Sequence, residues 1–214
     1  MTISWYGHSC FRITNQGGHL TVITDPFEKK IGLNPPRGSA DVVVVSHDHF
    51  DHNNTKAIGG EPFIIDGPGE YETKGVSING ISSFHDEKKG EERGQNTIYL
   101  IEIDNIRVCH MGDFGQEKLS DRQLESIGQV DVLIIPVGGN YTIDGVQAAK
   151  IAKQIEPSLI IPMHYKIPGL TADIVGPEKF LKEMGANGIK PVDKLTFKKR
   201  DLADKEAEVI LFKI

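Results

Sequence analysis

Apolar and β-branched residues recur in short runs bounded by glycine, proline, asparagine and aspartate. They fall at Ile3–Tyr6, Phe11–Ile13, Leu20–Thr24, Val42–Ser46, Phe63–Asp66 and Val76–Ile81, then at Thr97–Ile103, Arg107–Met111, Val132–Val137, Leu159–Met163, Leu195–Lys198 and Val209–Lys213. Runs of this length and makeup predict β-strands. In the first half, NQGGH at 15–19 and the pair Asp104–Asn105 are turn signals, which predicts hairpins and antiparallel pairing. The second half alternates differently. Ser120–Gly128 opens on a capping serine, closes on glycine and leads into the apolar run DVLIIPV; Asp144–Ile155 precedes SLIIPMH in the same way, and a further helix is predicted over Gly176–Met184. Many strands with a few interspersed helices predict sheets packed together and covered by helices.

No internal repeat or linker interrupts this pattern, and 214 residues suit a single domain spanning residues 1–214. No apolar run approaches the ~18–20 residues of a membrane span, and the start MTISWYGHSC has no basic region followed by an apolar stretch. A cytoplasmic protein without a membrane partner is expected. A net charge of −6 repels phosphate backbones, so no nucleic-acid partner is expected, and FKKR at 197–200 reads as a solvated strand end. Cys10 and Cys109 lie in strand-like stretches and read as small buried hydrophobes. The charged loop DEKKGEERG at 86–94 reads as a solvated hairpin tip.

One stretch changes the picture. In VVVVSHDHFDHNN, Val42 to Asn54, three histidines and two aspartates follow four valines. The valine run predicts a strand buried on both faces, a rigid base from which to project ligands. His47 and His49, two apart, point the same way if the chain stays extended, and can share one cation. Asp51 and His52 come after a turn and suit a second cation, and Asn53–Asn54 suits a helix N-cap. His85, Asp113 and His164 each sit at or just beyond the end of an apolar run, the natural rim of a sheet-built site.

SHDHFDH resembles the H-x-H-x-D-H signature of the metallo-β-lactamase fold, an α/β (α+β) four-layer αββα sandwich with a binuclear site along the edge of its sheets. WYGHSCFRI, LTVITDPF at 20–27, SFHD at 83–86, HMGDFG at 110–115, LIIPVGGNYT at 133–142 and IIPMHYK at 160–166 extend the likeness over nearly the whole chain. Together they resemble the branch that includes ascorbate-6-phosphate lactonase and other metal-dependent hydrolases. The resemblance implies one metal held by His47, His49 and His85, a second held by Asp51, His52 and His164, and Asp113 bridging them. It also implies that Asp25 braces the metal-binding loop, a carboxylate receiving the free N–H of a metal-bound histidine, the alternative being a plain turn aspartate before Pro26. His8 in YGHSC either faces the site or is a satisfied core histidine. His110, inside a strand-like run, reads as a structural or supporting histidine rather than a ligand, and His19 as a surface residue. Gly138 and Gly139 either let backbone approach substrate or make a turn, and strand alternation sends Tyr165 away from the site.

Such a site implies a binuclear hydrolase in which a metal-bound hydroxide attacks a small ester, lactone or phosphodiester, with Asp51 or Asp113 accepting the proton. Imidazole and carboxylate donors suit two divalent ions, zinc or manganese, and iron also fits. The zinc β-lactamases use a cysteine on the second metal, which this chain lacks. It also has no helical domain of the thioesterase kind and no glutamate at position 49 as in flavodiiron proteins. The alternatives are a metal-dependent nuclease and a non-catalytic metal-binding or sensing protein. A small-molecule substrate is expected, in a pocket built from the loops 26–38, 86–94 and 138–145.

Overall fold

A computed structural model describes residues 1–214. Its strands are β1 (Thr2–Gly7), β2 (Cys10–Thr14), β3 (Thr21–Thr24), β4 (Val42–Val44), β5 (Phe63–Ile65), β6 (Gly69–Thr73), β7 (Val76–Phe84), β8 (Gln95–Ile103), β9 (Ile106–His110), β10 (Val132–Pro136), β11 (Leu159–Met163), β12 (Lys194–Thr196) and β13 (Glu208–Val209). Three α-helices intervene, α1 (Asp121–Ile127), α2 (Gly145–Ile155) and α3 (Glu178–Glu183). A six-stranded sheet runs β12-β1-β2-β3-β4-β5, and a seven-stranded sheet runs β13-β11-β10-β9-β8-β7-β6. Both are mixed. Hairpins give the antiparallel pairs of β1 through β3 and of β6 through β9, whereas β3 with β4, β4 with β5, and β9 through β11 pair parallel.

Side-chain alternation explains how the layers form. Along β4 and the residue after it, Val42 and Val44 enter the large core between the sheets, while Val43 and Val45 enter a second cluster on the opposite face with Cys10, Ile23 and Phe27. The valine run is therefore buried on both faces, as its composition predicts. Helices α1 and α2 lie against the seven-stranded sheet. Ile31, Ile58, Leu170 and Ile174, from loops and short 3₁₀ turns, cover the outer face of the six-stranded sheet. The result is an α/β sandwich whose second outer layer is thin. No helix is long and apolar enough to cross a membrane.

Local signals account for most boundaries. Ser120 and Gln123 form a capping box on α1, and the Asp144 carboxylate accepts from the Val146 and Gln147 amides at the start of α2. Asp104 and Asn105 both take left-handed backbone angles, φ 56° and 59°, the geometry of a tight hairpin turn between β8 and β9. Three details differ from the sequence expectation. Strand β6, GEYET, is a polar edge strand without an apolar run to betray it. Strands β7 and β8 pair through Phe84 and Gln95, further than their apolar runs, because Ser83 and Asn96 bond each other inside the protein. Asn54 precedes only a 3₁₀ turn, Thr55–Ala57, and its side chain donates to the Phe27 carbonyl at 2.9 Å instead of capping it.

Candidate metal centre

The segments that carry the candidate site residues meet at one edge of the sandwich. Asp25 follows β3; His47, His49, Asp51 and His52 follow β4; His85 follows β7; Asp113 follows β9; His164 follows β11; and His8 lies between β1 and β2. Parallel neighbours end on the same side of a sheet, so these loops converge.

The floor of the site is Asp25. It is fully buried, and its oxygens accept from the Ser46 amide at 2.7 Å and the Ser46 hydroxyl at 2.9 Å. Its Oδ2 also lies 2.7 Å from His110 Nε2 and 3.2 Å from His52 Nδ1. Burial alone would raise this carboxyl, but the charges of His110 and His52 and their hydrogen bonds hold it far below the usual carboxylate range. His110 thus supports the site from beneath and stands apart from the ligand clusters. His19, at the surface, contacts Asn15.

These contacts orient the histidines. Because the Ser46 hydroxyl donates to Asp25, it accepts from His47 Nδ1 at 2.9 Å, which leaves Nε2 of His47 as a buried lone pair without a partner. Ligand atoms of His47, His49 and His85 lie within 4.8 Å of one another, and so do those of His47, His52 and Asp113. Asp113 Oδ2 is the common point: His164 Nε2 lies 3.1 Å away, and His52 Nε2 and His85 Nε2 each 3.3 Å away. Asn96 Oδ1 accepts from the Asp113 amide at 2.9 Å, and Ser9 Oγ donates to its Oδ1 at 3.5 Å. Sequence pattern signals neither Asn96 nor Ser9 as a site residue, although Ser9 lies within the motif WYGHSCFRI.

The third group is His8, His52 and His164, again within 4.8 Å. Of the two readings of His8, the structure places it in the site: it is buried, and its Nε2 lies 3.2 Å from Asp51 Oδ2. Asp51 itself is 3.8 Å from His52 Nε2. Tyr165 points away, its hydroxyl donating to the Phe212 carbonyl at 3.4 Å and its ring 5.1 Å from Trp5.

The donor set fits metal ions. Nε2 of His47 and Nε2 of His52 are buried without a hydrogen-bond partner, among rings whose centroids lie 4.2 Å apart for His47–His52 and His8–His164 and 4.6 Å apart for His47–His85, an arrangement that is costly unless something positive lies there. Burial, then the neighbouring His164, lowers the His8 imidazole to about 4. Burial, then His52, lowers His47, and burial, then His85, lowers His49. Neutral imidazole is the metal-binding form; His52 alone is shifted the other way, raised despite burial by Asp113 and Asp25, and would give up its proton to a cation. Asp51 and Asp113 are pulled below the usual range despite burial, Asp51 by its bond to His8 and Asp113 by His164 and His52, so both offer charged oxygens.

Backbone geometry serves the same end. His8, Asp25 and His164 sit in the left-handed region at φ 55°, 40° and 51°, a placement that costs about 1–3 kcal/mol each and concentrates at functional sites. Gly138 packs so closely under His164 that a Cβ there would collide with its carbonyl oxygen, and a Cβ on Gly115 would strike the His85 backbone. Gly138 thus allows close approach to the His164 backbone. Gly115→Ala should displace His85 at a cost of about 1–3 kcal/mol and weaken metal binding. The check is metal content and melting temperature; unchanged values for both would remove this packing from the site.

A cavity of about 370 Å³ opens over His8, His49, Asp51, His85, Asp113 and His164. Its walls are Ile31 and Phe50, Arg93 and Tyr141, and the segment Leu170–Ala172. The last segment was not expected from sequence. It is held by Lys166, whose ammonium donates to the Leu170 and Ala172 carbonyls at 2.7 Å each, and by Thr171, whose amide and hydroxyl both donate to Ile31 O. The loop 86–94 is also more ordered than a solvated tip. The Asp86 carboxylate accepts from the amides of Lys88, Gly90, Glu92 and Arg93 at 2.8–3.1 Å, fixing Arg93 over the cavity. Asp86→Ala should free four amides, making this loop the first point of limited proteolysis; equal cleavage rates in variant and wild type would show that the carboxylate does not hold the loop.

Comparison with known proteins follows the same lines. The description "Beta-lactamase superfamily domain" matches residues 2–164. A UPF0173 protein of Pyrococcus furiosus is 30% identical over 212 residues, 86% of this chain and 90% of that one. A UPF0173 metal-dependent hydrolase of Thermococcus onnurineus is 26% identical over 211 residues, 86% of this chain and 92% of its own. Among solved structures, a candidate Zn-dependent hydrolase of the metallo-β-lactamase superfamily from Thermotoga maritima superimposes with a TM-score of 0.79 at 35% identity, covering 99% of this chain and 97% of that one.

Proposed function

This chain belongs to the β-lactamase superfamily, in the UPF0173 metal-dependent hydrolase family, and from that premise we propose that it is a binuclear metal-dependent hydrolase of small esters, lactones or phosphodiesters. The observation that carries the reading is the crowding of His52, His85 and His164 Nε2 around a single oxygen of Asp113, with His47 Nε2 buried and unpartnered beside them. In this reading His47, His49 and His85 would hold one ion and Asp51, His52 and His164 the other, with Asp113 available to both and His8, not Asp51, completing the tight cluster around His52 and His164. Zinc or manganese suits these donors, and iron also fits. Bound there, divalent cations would supply Lewis acidity that eases deprotonation of water and polarises the scissile carbonyl or phosphoryl oxygen.

The chain's own groups do the rest. Asp51 lines the cavity with one oxygen on His8, and its ionised carboxylate can accept a hydrogen bond from an attacking water and orient it, with His8 keeping the carboxylate in place. Asp113 is fixed from its backbone side by Asn96 and does not need to move. Asp25 and Ser46 lock His47 in the tautomer that leaves its Nε2 lone pair free, in a ring clustered with His49, His85, His52 and Asp113. Ile31, Phe50 and Leu170 give the cavity an apolar lining. A cavity of about 370 Å³ suits a small molecule and is too small for a folded polymer. The ascorbate-6-phosphate lactonase-like branch falls within this substrate class.

A panel of small lactones, carboxylic esters and phosphodiesters, assayed with zinc- and manganese-loaded protein, tests the reading. Turnover of at least one class is expected. Activity on single-stranded RNA with none on any small substrate would move the chain to nuclease chemistry, and metal binding without turnover of any kind would make it a metal-binding protein.

A further inference from the structure

Arg93 has no carboxylate within ion-pair distance, although the chain carries 30 acidic residues against 24 basic ones. It lines the cavity over the metal-ligand cluster, with its guanidinium carbon 5.1 Å from the ring centroid of Tyr141, which lines the same cavity. One nitrogen donates to the Asn140 carbonyl at 3.4 Å. Both ends of this arrangement are anchored. Asp86 fixes the Arg93 amide, and Asn140, at φ 60°, donates from its side chain to the Asp173 carbonyl at 2.7 Å. A guanidinium so held has lost part of its side-chain freedom before any ligand arrives, and most of its donors remain free. Planar forked donors of this kind match the two oxygens of a carboxylate or phosphate. Ile31, Phe50 and Leu170 give the same cavity an apolar lining.

We propose that Arg93 is a specificity-determining residue that receives a carboxylate or phosphate group on the substrate, at a position other than the scissile bond, while the apolar part of the substrate packs on Ile31, Phe50 and Leu170. The substrate is then an anionic small ester or lactone; this rests on the hydrolase reading above. Arg93 does not touch the reacting atoms, and its effect is on which substrates are held.

The test has two arms. In the first, wild type, Arg93→Gln and Arg93→Lys are assayed with the matched pair ethyl butyrate and monoethyl succinate, which differ by a terminal carboxylate. Wild type is expected to favour the charged ester in kcat/KM, and the preference is expected to shrink by about 10–100-fold in Arg93→Gln, mostly through KM, with Arg93→Lys between them. An identical preference in wild type and Arg93→Gln overturns the proposal. In the second arm, acetate and inorganic phosphate are titrated calorimetrically into the metal-free proteins, separating carboxylate from phosphate recognition. Weaker binding of at least one anion by Arg93→Gln supports the proposal, and equal binding of both by wild type and variant overturns it. If wild type turns over neither ester, the failure falls on the hydrolase reading for such esters, and the binding arm alone decides the role of Arg93. Tyr141→Leu, which leaves the charge but removes its platform, should reproduce part of the Arg93→Gln effect.

Discussion

Asp113→Ala is expected to reduce hydrolysis by about 10³-fold or more and to lower metal content in the same protein. The reason is geometric. One Asp113 oxygen lies 3.1–3.3 Å from three imidazole nitrogens that come from three different loops, so its removal takes away the negative charge around which both halves of the site are arranged. Lewis-acid assistance is worth several kcal/mol in such sites, and each 1.36 kcal/mol is a factor of ten in rate. Asp113→Asn separates charge from shape: it keeps the volume, loses the charge, and should fall nearly as far. The measurement is kcat with metal content determined on the same samples, using His19→Ala as a surface control. Near wild-type rates in Asp113→Ala at full metal occupancy would take Asp113 out of the chemistry.

Asp25→Ala is expected to have the largest effect on stability. Its carboxylate is the shared acceptor for the Ser46 amide, the Ser46 hydroxyl and His110, and it lies beside His52, all in a region without solvent. Removing one partner from a buried ionic network leaves the others uncompensated, at a cost of about 3–5 kcal/mol. Asp25→Asn keeps an acceptor oxygen and should cost less, while lowering metal affinity or activity by about 10–100-fold, as loss of a ligand-supporting hydrogen bond does. Thermal melts of the metal-free proteins read the first effect and metal titrations the second. Melting temperatures that coincide for wild type and Asp25→Ala would show that the network contributes little to folding.

Much of this architecture is legible in the sequence because its physical causes are local. The valine run declares a doubly buried strand, the capping residues Ser120 and Asp144 mark two helix starts, and the motif SHDHFDH concentrates donors that chance does not gather. Other features depend on what the fold brings from afar. Strand β6 is polar and gains its place by pairing with β7. His8 reads equally well as core or site until the β1–β2 hairpin is placed against His164, with ring centroids 4.2 Å apart. Leu170–Ala172 is held at the cavity by Lys166 and by Thr171, which is stitched to Ile31, some 140 residues earlier in the chain. The left-handed backbone at His8, Asp25 and His164 has no sequence signal, since none of these residues is glycine. It is imposed by the surrounding contacts.

The most direct test is to count metal. Protein purified without chelator, or reloaded with zinc or manganese after stripping, should hold about two ions per chain, and stripping should lower its melting temperature because binding to the folded state adds to folding stability. His85→Ala should then deplete one ion and His164→Ala the other, while His110→Ala, whose imidazole bonds Asp25 from beneath, should retain both at saturating metal. A wild-type chain that takes up no metal at any concentration and melts at the same temperature with and without it would contradict the metal centre outright.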